Sequence, residues 1–217
     1  MKITQVEPQK KNPHRFNVFI DGEFVFGADE DLVVEQRLIP GKIIDQTLLE
    51  KLIFEAEVGK LIERMYSLFN IRPRSEKEVR TYLKNLSFNR KVKDQEEISD
   101  LAIDSLVEKL KQKRLLDDKQ FAKDWVESRR RSKQKGIRVI KAELFQKGID
   151  KEIIEEVLRL RSGQVSEEDL AKLALEKKMR VWKNLPPLEF KRKALEFLIR
   201  KGFDYEIVKK MIESIPL

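Results

Sequence analysis

Two patterns of apolar residues divide the chain. Arg15-Phe16-Asn17-Val18-Phe19-Ile20 and Glu23-Phe24-Val25-Phe26 are β-branched and aromatic runs joined by Asp21-Gly22. A two-residue Asp-Gly link favours a type I′ turn, because both positions take φ > 0. The first 45 residues therefore predict a hairpin with Phe16, Val18 and Ile20 on one side. Ile3 to Glu7 can add a third strand. An isolated hairpin is marginal, so this one must lean on the helices. Asp29 reads as the N-cap of a short helix to Leu38. Pro40-Gly41 breaks the chain, and Asp45 opens a helical run to about Phe69.

From there the pattern is helical and it repeats. Leu144-Phe145-Gln146-Lys147-Gly148-Ile149-Asp150 returns 54 residues later as Leu198-Ile199-Arg200-Lys201-Gly202-Phe203-Asp204. After it, Ile153, Ile154, Val157 and Leu158 match Ile207, Val208, Met211 and Ile212, a stripe at helical period. Lys-Gly-apolar-Asp has a local mechanism: Gly ends one helix in the left-handed region and Asp caps the next. An earlier copy, Leu83-Lys84-Asn85-Leu86-Ser87-Phe88, lacks the Gly. It is followed by an insertion at 89–98, with Ser99 in the capping place and Ala102, Ile103, Leu106 and Val107 as the stripe. Leading helices align too: Leu61, Ile62, Met65 and Tyr66 with Phe121, Ala122, Trp125 and Val126, and with Leu170, Ala171, Ala174 and Leu175. The expected fold is mainly α: three tandem three-helix repeats in an elongated, curved arrangement behind a small N-terminal β-hairpin of two or three strands. The expected divisions are 1–45, 46–115, 116–163 and 164–217.

Composition agrees and narrows the chemistry. An apolar share of 41% is enough to build a core and argues against wholesale disorder. With only 8 Gly and 7 Pro, an all-β architecture rich in tight turns is disfavoured. The absence of Cys removes disulfides, thiolate metal sites and a Cys nucleophile, and the single His14 removes any two-histidine centre. His14 itself reads as a surface residue. No signal peptide or 18-residue apolar window is visible, so a soluble, membrane-free protein is expected; a disulfide-free basic chain fits a cytoplasmic location, and a monomer is expected.

The net charge is +8, and residues 119–163 hold 13 basic against 7 acidic groups. The run is densest at Arg129-Arg130-Arg131-Ser132-Lys133-Gln134-Lys135. Two readings stay open: an anion-binding surface, or a solvated helix end favoured by the dipole. Arg130, Arg131, Lys133 and Lys135 are the candidate ligands at the start of a loop before Gly136, extended by Arg138 and Lys141. Lys177, Lys178, Arg180, Lys183, Arg192, Lys193 and Lys201 form a second basic region. Arg129 continues the apolar stripe, so its head should find a carboxylate such as Glu143. Trp125 could stack on a base, but its place on the stripe favours the core. Asp117-Asp118 could be a metal-binding carboxylate pair, but a helix cap explains it without further ligands. No phosphate-binding glycine loop, catalytic set or cofactor motif is present.

Leu115-Leu116-Asp117-Asp118-Lys119-Gln120-Phe121-Ala122-Lys123-Asp124-Trp125-Val126-Glu127-Ser128-Arg129, continued by Gly136, Ile140, Glu143-Leu144 and Lys147-Gly148-Ile149, resembles the central signature of the RecX family. Arg74-Ser75-Glu76-Lys77-Glu78-Val79-Arg80-Thr81-Tyr82-Leu83 is similar to the family's first-repeat element. The resemblance covers about 55–215. Two departures stand out: Ser87-Phe88 with the 89–98 insertion in place of the first Lys-Gly, and the N-terminal hairpin beyond the minimal core. Family resemblance implies a mainly structural role for Leu116, Asp117, Asp118, Phe121, Ala122, Trp125, Arg129, Gly136, Ile140, Glu143, Leu144, Lys147 and Gly148. It implies a regulator rather than an enzyme, without a cofactor, acting in DNA recombination, repair and the SOS response. Such a protein binds RecA and its filament on single-stranded DNA, touching DNA directly or through RecA. It modulates, and usually inhibits, ATP hydrolysis, strand exchange and co-protease activity. The competing readings are an autonomous nucleic-acid-binding repeat protein and a metal-dependent nuclease built on Asp117-Asp118.

Overall fold

Asp21 at φ 51° and Gly22 at φ 90° close the expected hairpin in a computed structural model that describes residues 1–161 and 166–215. The boundary expected at 163 and 164, and the end at 217, lie outside the described residues. The chain forms two compact units: Met1–Arg74 with Val79–Leu116, and Ser75–Glu78 with Asp117–Leu217.

In the first unit, β1 (Ile3–Pro8), β2 (Arg15–Ile20) and β3 (Glu23–Asp29) form an antiparallel sheet in the order β1-β2-β3. The register pairs Val18 with Phe26, then slips so that Phe19 opposes Phe24, whose rings meet edge to face. Ile3, Val18, Ile20, Phe26 and Ala28 form the buried face, together with Leu32, Leu38, Leu52 and Ala56. Asp29 caps α1 (Glu30–Glu35) by accepting from the Leu32 N–H at 2.8 Å. This helix stops before the expected Leu38. Arg37 turns left-handed at φ 46°, which carries Leu38 into the core.

Asp45 caps α2 (Gln46–Phe69), and Ser99 caps α4 (Asp100–Gln112). Between them runs α3 (Glu76–Lys91). Leu61, Met65, Val79, Leu83, Leu106 and Leu110 share one core. The stretch 83–88 was expected to end a helix; without Gly nothing stops it there, and α3 continues to Lys91. Ser87 instead faces inward, and its hydroxyl accepts from the Ile98 N–H at 2.9 Å, fastening the far end of the insertion.

The second unit holds α5 (Asp118–Lys133), α6 (Ile137–Gln146), α7 (Lys151–Arg161), α8 (Glu167–Trp182), α9 (Pro187–Arg200) and α10 (Tyr205–Glu213). One core collects Phe121, Ala122, Val126, Ile140, Leu144, Ile154 and Val157. The other collects Leu170, Ala171, Ala174, Leu175, Leu198, Phe203, Val208 and Met211. Both Lys-Gly links are Schellman turns. Gly148 (φ 80°) and Gly202 (φ 90°) donate to Phe145 and Ile199 carbonyls; Ile149 and Phe203 then donate to Leu144 and Leu198.

These turns also dock. Gly136 N–H donates to the Lys201 carbonyl at 3.0 Å and Arg138 N–H to the Gly202 carbonyl at 3.1 Å. Orphan donors at the start of α6 are thus satisfied by the next repeat's turn. A Cβ on Gly136 would lie 2.2 Å from the Gly202 carbonyl oxygen. The same arrangement recurs at Ser75–Glu78: Ser75 Oγ donates to the Lys147 carbonyl at 2.7 Å, and Lys147 Nζ pairs with Glu78. A Cβ on Gly148 would meet the Lys77 side chain. Each Lys-Gly turn therefore seats on the N-terminus of the preceding repeat's middle helix. The first repeat follows no other repeat, so its corresponding turn has no such seat to fill, and this is where Lys-Gly is missing.

Candidate functional site

The central signature converges on Glu143. Trp125 Nε1 donates to Glu143 Oε2 at 2.9 Å and Arg129 Nε to the same oxygen at 2.7 Å, while Lys135 Nζ pairs with Oε1. Arg129 lies 4.0 Å over the Trp125 ring, Lys147 lies 5.2 Å from that ring's centroid, and Phe121 stacks beside it. Burial pushes the Glu143 carboxyl up, but hydrogen bonds from Lys135, Arg129 and Trp125 outweigh it and hold the group below the ordinary carboxylate range. The cluster joins the end of α5 to α6 as a locked polar network. Trp125, expected within the core, is only half-buried, because α6 presents a carboxylate there rather than an apolar residue.

The remaining signature residues hold elements in place. Leu116 is buried in the first unit's core. Asp117 caps α5 through the Gln120 N–H at 2.9 Å. Asp118 accepts from the Glu76 N–H at 2.9 Å, supporting the first turn of α3. Both carboxylates are thus bonded to backbone donors, and among the described residues no cluster of three His or acidic side chains could hold a metal. His14 is exposed, 3.3 Å from Glu30.

The basic run differs from expectation in two ways. First, α5 continues through Lys133, so Arg130, Arg131 and Lys133 stand on its last turn rather than in a loop. Good helix formers at a helix C-terminus, where the dipole favours cations, explain the extension. Second, Lys135, expected among the exposed ligands, is half-buried and committed to Glu143. Arg131 and Lys133 are exposed, and Arg130 is half-buried. Arg138 pairs with Asp204 at 2.9 Å, Lys141 with Glu155 at 3.6 Å and Lys193 with Glu189 at 2.8 Å. Arg180, Lys183 and Arg192 are exposed, the last lying beside Glu189.

The two basic regions meet through only part of their members. Lys201 Nζ donates to the Lys133 carbonyl at 2.6 Å, and Lys177 Nζ to Gln134 Oε1 at 3.3 Å. Lys178 lies 5.9 Å from the Trp182 centroid and 5.6 Å from that of Phe197; Lys201 lies 5.3 Å from Phe197. Burial lowers the Lys201 pKa, and Lys177, Lys135 and Lys178 lower it further. A cluster of lysines therefore sits where α8 and the α9–α10 turn face the link Gln134-Lys135.

Its origin is visible in the repeat register. Leu83, Leu144 and Leu198 are each fully buried, and the residue before them is Tyr82, Glu143 or Phe197. Arg129 bonds Glu143 and Lys147 lies over the adjoining Trp125 ring; their counterparts Lys178 and Lys201 both lie against Phe197. The ring retains a cation–π contact but provides no neutralising charge. Reading position 143 against 197 in the 54-residue register, already set by Lys-Gly, carries the signal for this cluster.

Family comparisons fall on the same segments. The Regulatory protein RecX N-terminal domain matches residues 1–45, the second RecX three-helix domain 117–158 and the third 166–212. Regulatory protein RecX of Listeria monocytogenes serotype 4b (strain CLIP80459) is 31% identical over 209 residues, 96% of this chain and 74% of that one. The Bacillus velezensis counterpart is 32% identical over 212 residues, 98% and 76%. Among solved structures, a regulatory protein RecX superposes with TM-score 0.79 at 24% identity, covering 99% of this chain and all of that one. RecX from Lactobacillus salivarius superposes with TM-score 0.59 at 26% identity, covering 72% and 94%. With domain matches over most of its length and such relatives at 31–32% identity, the chain belongs to the RecX family of regulatory proteins.

Proposed function

We propose that this protein regulates RecA: it binds the RecA filament on single-stranded DNA and inhibits its ATP hydrolysis, strand exchange and co-protease activity. It does so as a cytoplasmic monomer and without catalysis of its own. The observation that carries the residue assignment is the cluster of Lys177, Lys178 and Lys201 against the Lys133-Gln134-Lys135 link. The phosphates of a nucleoprotein filament, or acidic side chains on its surface, supply the opposite charge. Arg131, Lys133, Arg180, Lys183 and Arg192 extend the contact; Arg138, Lys141 and Lys193 already have carboxylate partners and contribute less.

An ATPase time course with RecA, single-stranded DNA and ATP tests this reading. The wild-type protein should slow hydrolysis, and K177Q/K178Q/K201Q should slow it less while melting normally. Where phosphate is the contact, the slope of log K against log salt falls by ~0.7 per lost charge. Where acidic protein is the contact, affinity for bare DNA is retained while affinity for the filament drops. DNA binding with no change in RecA hydrolysis would support an autonomous nucleic-acid-binding protein instead.

A further inference from the structure

Lys201 differs from the other cations of the second unit. Its amine is half-buried, lies 2.6 Å from the Lys133 carbonyl and is bordered by Lys135, Lys177 and Lys178. Glu143, the carboxylate paired with Lys135, is also bonded by Arg129 and Trp125. By contrast Lys172 and Lys193 each face a carboxylate four residues earlier, at 3.1 and 2.8 Å. Two conditions for amine chemistry coincide in this cluster. Burial and the like charges of Lys177, Lys135 and Lys178 disfavour the protonated amine and outweigh the Lys133 carbonyl and Phe197 ring that favour it, and the neighbouring lysines attract a phosphorylated reagent.

We propose that Lys201 is a preferential Nε-acylation site, and that the lysines around it recruit small acyl phosphates as the donor. The neutral amine attacks the acyl carbonyl carbon and a C–N bond forms. The C–O bond to phosphate breaks, inorganic phosphate leaves with the electron pair, and the amine proton passes to solvent. No oxidant or further co-reactant is needed. The product amide removes one positive charge from the cluster. The chemistry depends on this cluster and not on any role toward RecA.

The wild-type chain is incubated with acetyl phosphate near neutral pH, and acetylation at each lysine is followed by mass spectrometry at early times. Lys201 should acetylate several-fold faster than Lys172 and Lys193 in the same sample. Excess inorganic phosphate should slow Lys201 selectively, and urea should abolish its advantage. K177Q/K178Q should reduce the Lys201 rate, whereas K177R/K178R should retain it. A Lys201 rate equal to those of Lys172 and Lys193 would overturn the proposal. So would an advantage that survives urea, or one that excess phosphate does not touch. Because the readout is a rate of modification, failure of RecA regulation leaves it standing, and its own failure leaves RecA regulation standing.

Discussion

At the scale of single residues, Glu143 is the most informative position. Its side chain is 20% exposed, and removing its charge leaves Arg129 and Lys135 without their shared partner. Glu143→Gln should destabilise the protein by about 2 kcal/mol, the usual loss for a charged hydrogen bond in a partly buried site. The pH dependence has a definite sign. The folded-state pKa lies below its ordinary value, so the stabilisation is complete above the unfolded carboxylate range, about pH 4.3. It is lost as pH falls through the folded pKa. Urea denaturation of wild type and variant should thus show a stability gap at neutral pH that narrows in acid; a gap of constant size would contradict the assigned network. The stripe pointed to the Arg129–Glu143 contact that the structure shows, but it placed Trp125 in the core, where the ring is only half-buried. The fate of Lys135 was not readable, because its capture by Glu143 depends on how α6 folds back against the end of α5.

At the scale of elements, the caps and Schellman turns were legible because their signals are local. Asp29, Asp45, Ser99, Asp117 and Asp204 each accept from a backbone N–H at a helix start. What was not legible was the seating of each Lys-Gly turn on a preceding helix, a contact between residues 64 or more apart in sequence. Gly136 isolates this contact. Its φ of −74° suits any residue, so only the close approach of Gly202 requires a missing side chain. Gly136→Ala should cost about 3 kcal/mol, the upper range for overpacking. Amide hydrogen exchange should rise around Gly136 and at Phe203. Gly22→Ala is the control: a Cβ there meets nothing within 4 Å, and φ 90° alone should cost about 1 kcal/mol.

At the scale of the whole molecule, the three-repeat pattern and the N-terminal sheet followed from periodicity, but the membership of the two compact units did not. Ser75–Glu78 belongs with Asp117 onward although it sits within the first repeat's sequence. The division between the compact units therefore does not follow the order of the sequence. A fragment starting at Asp117 lacks the Ser75 hydroxyl that satisfies the Lys147 carbonyl and the Glu78 carboxylate that pairs with Lys147. It should unfold at lower urea concentration than the same residues within the full chain. Equal midpoints would show that the Ser75–Glu78 seat contributes little. Pooling of the two basic regions was likewise hidden, since it requires Lys177 and Lys201 to meet residues 43 and 68 positions away.

The interchange of Tyr82, Glu143 and Phe197 before an unchanging buried leucine has a consequence for how such proteins diverge. Tyr82 holds Arg64 through its hydroxyl and ring, Glu143 neutralises its cations, and Phe197 leaves them charged. The leucine anchors the helix in every case, while this neighbour sets the charge around it. One substitution there rewrites the electrostatic identity of a repeat while its shape is inherited intact. Tandem duplication thus yields copies that can acquire separate partners one position at a time.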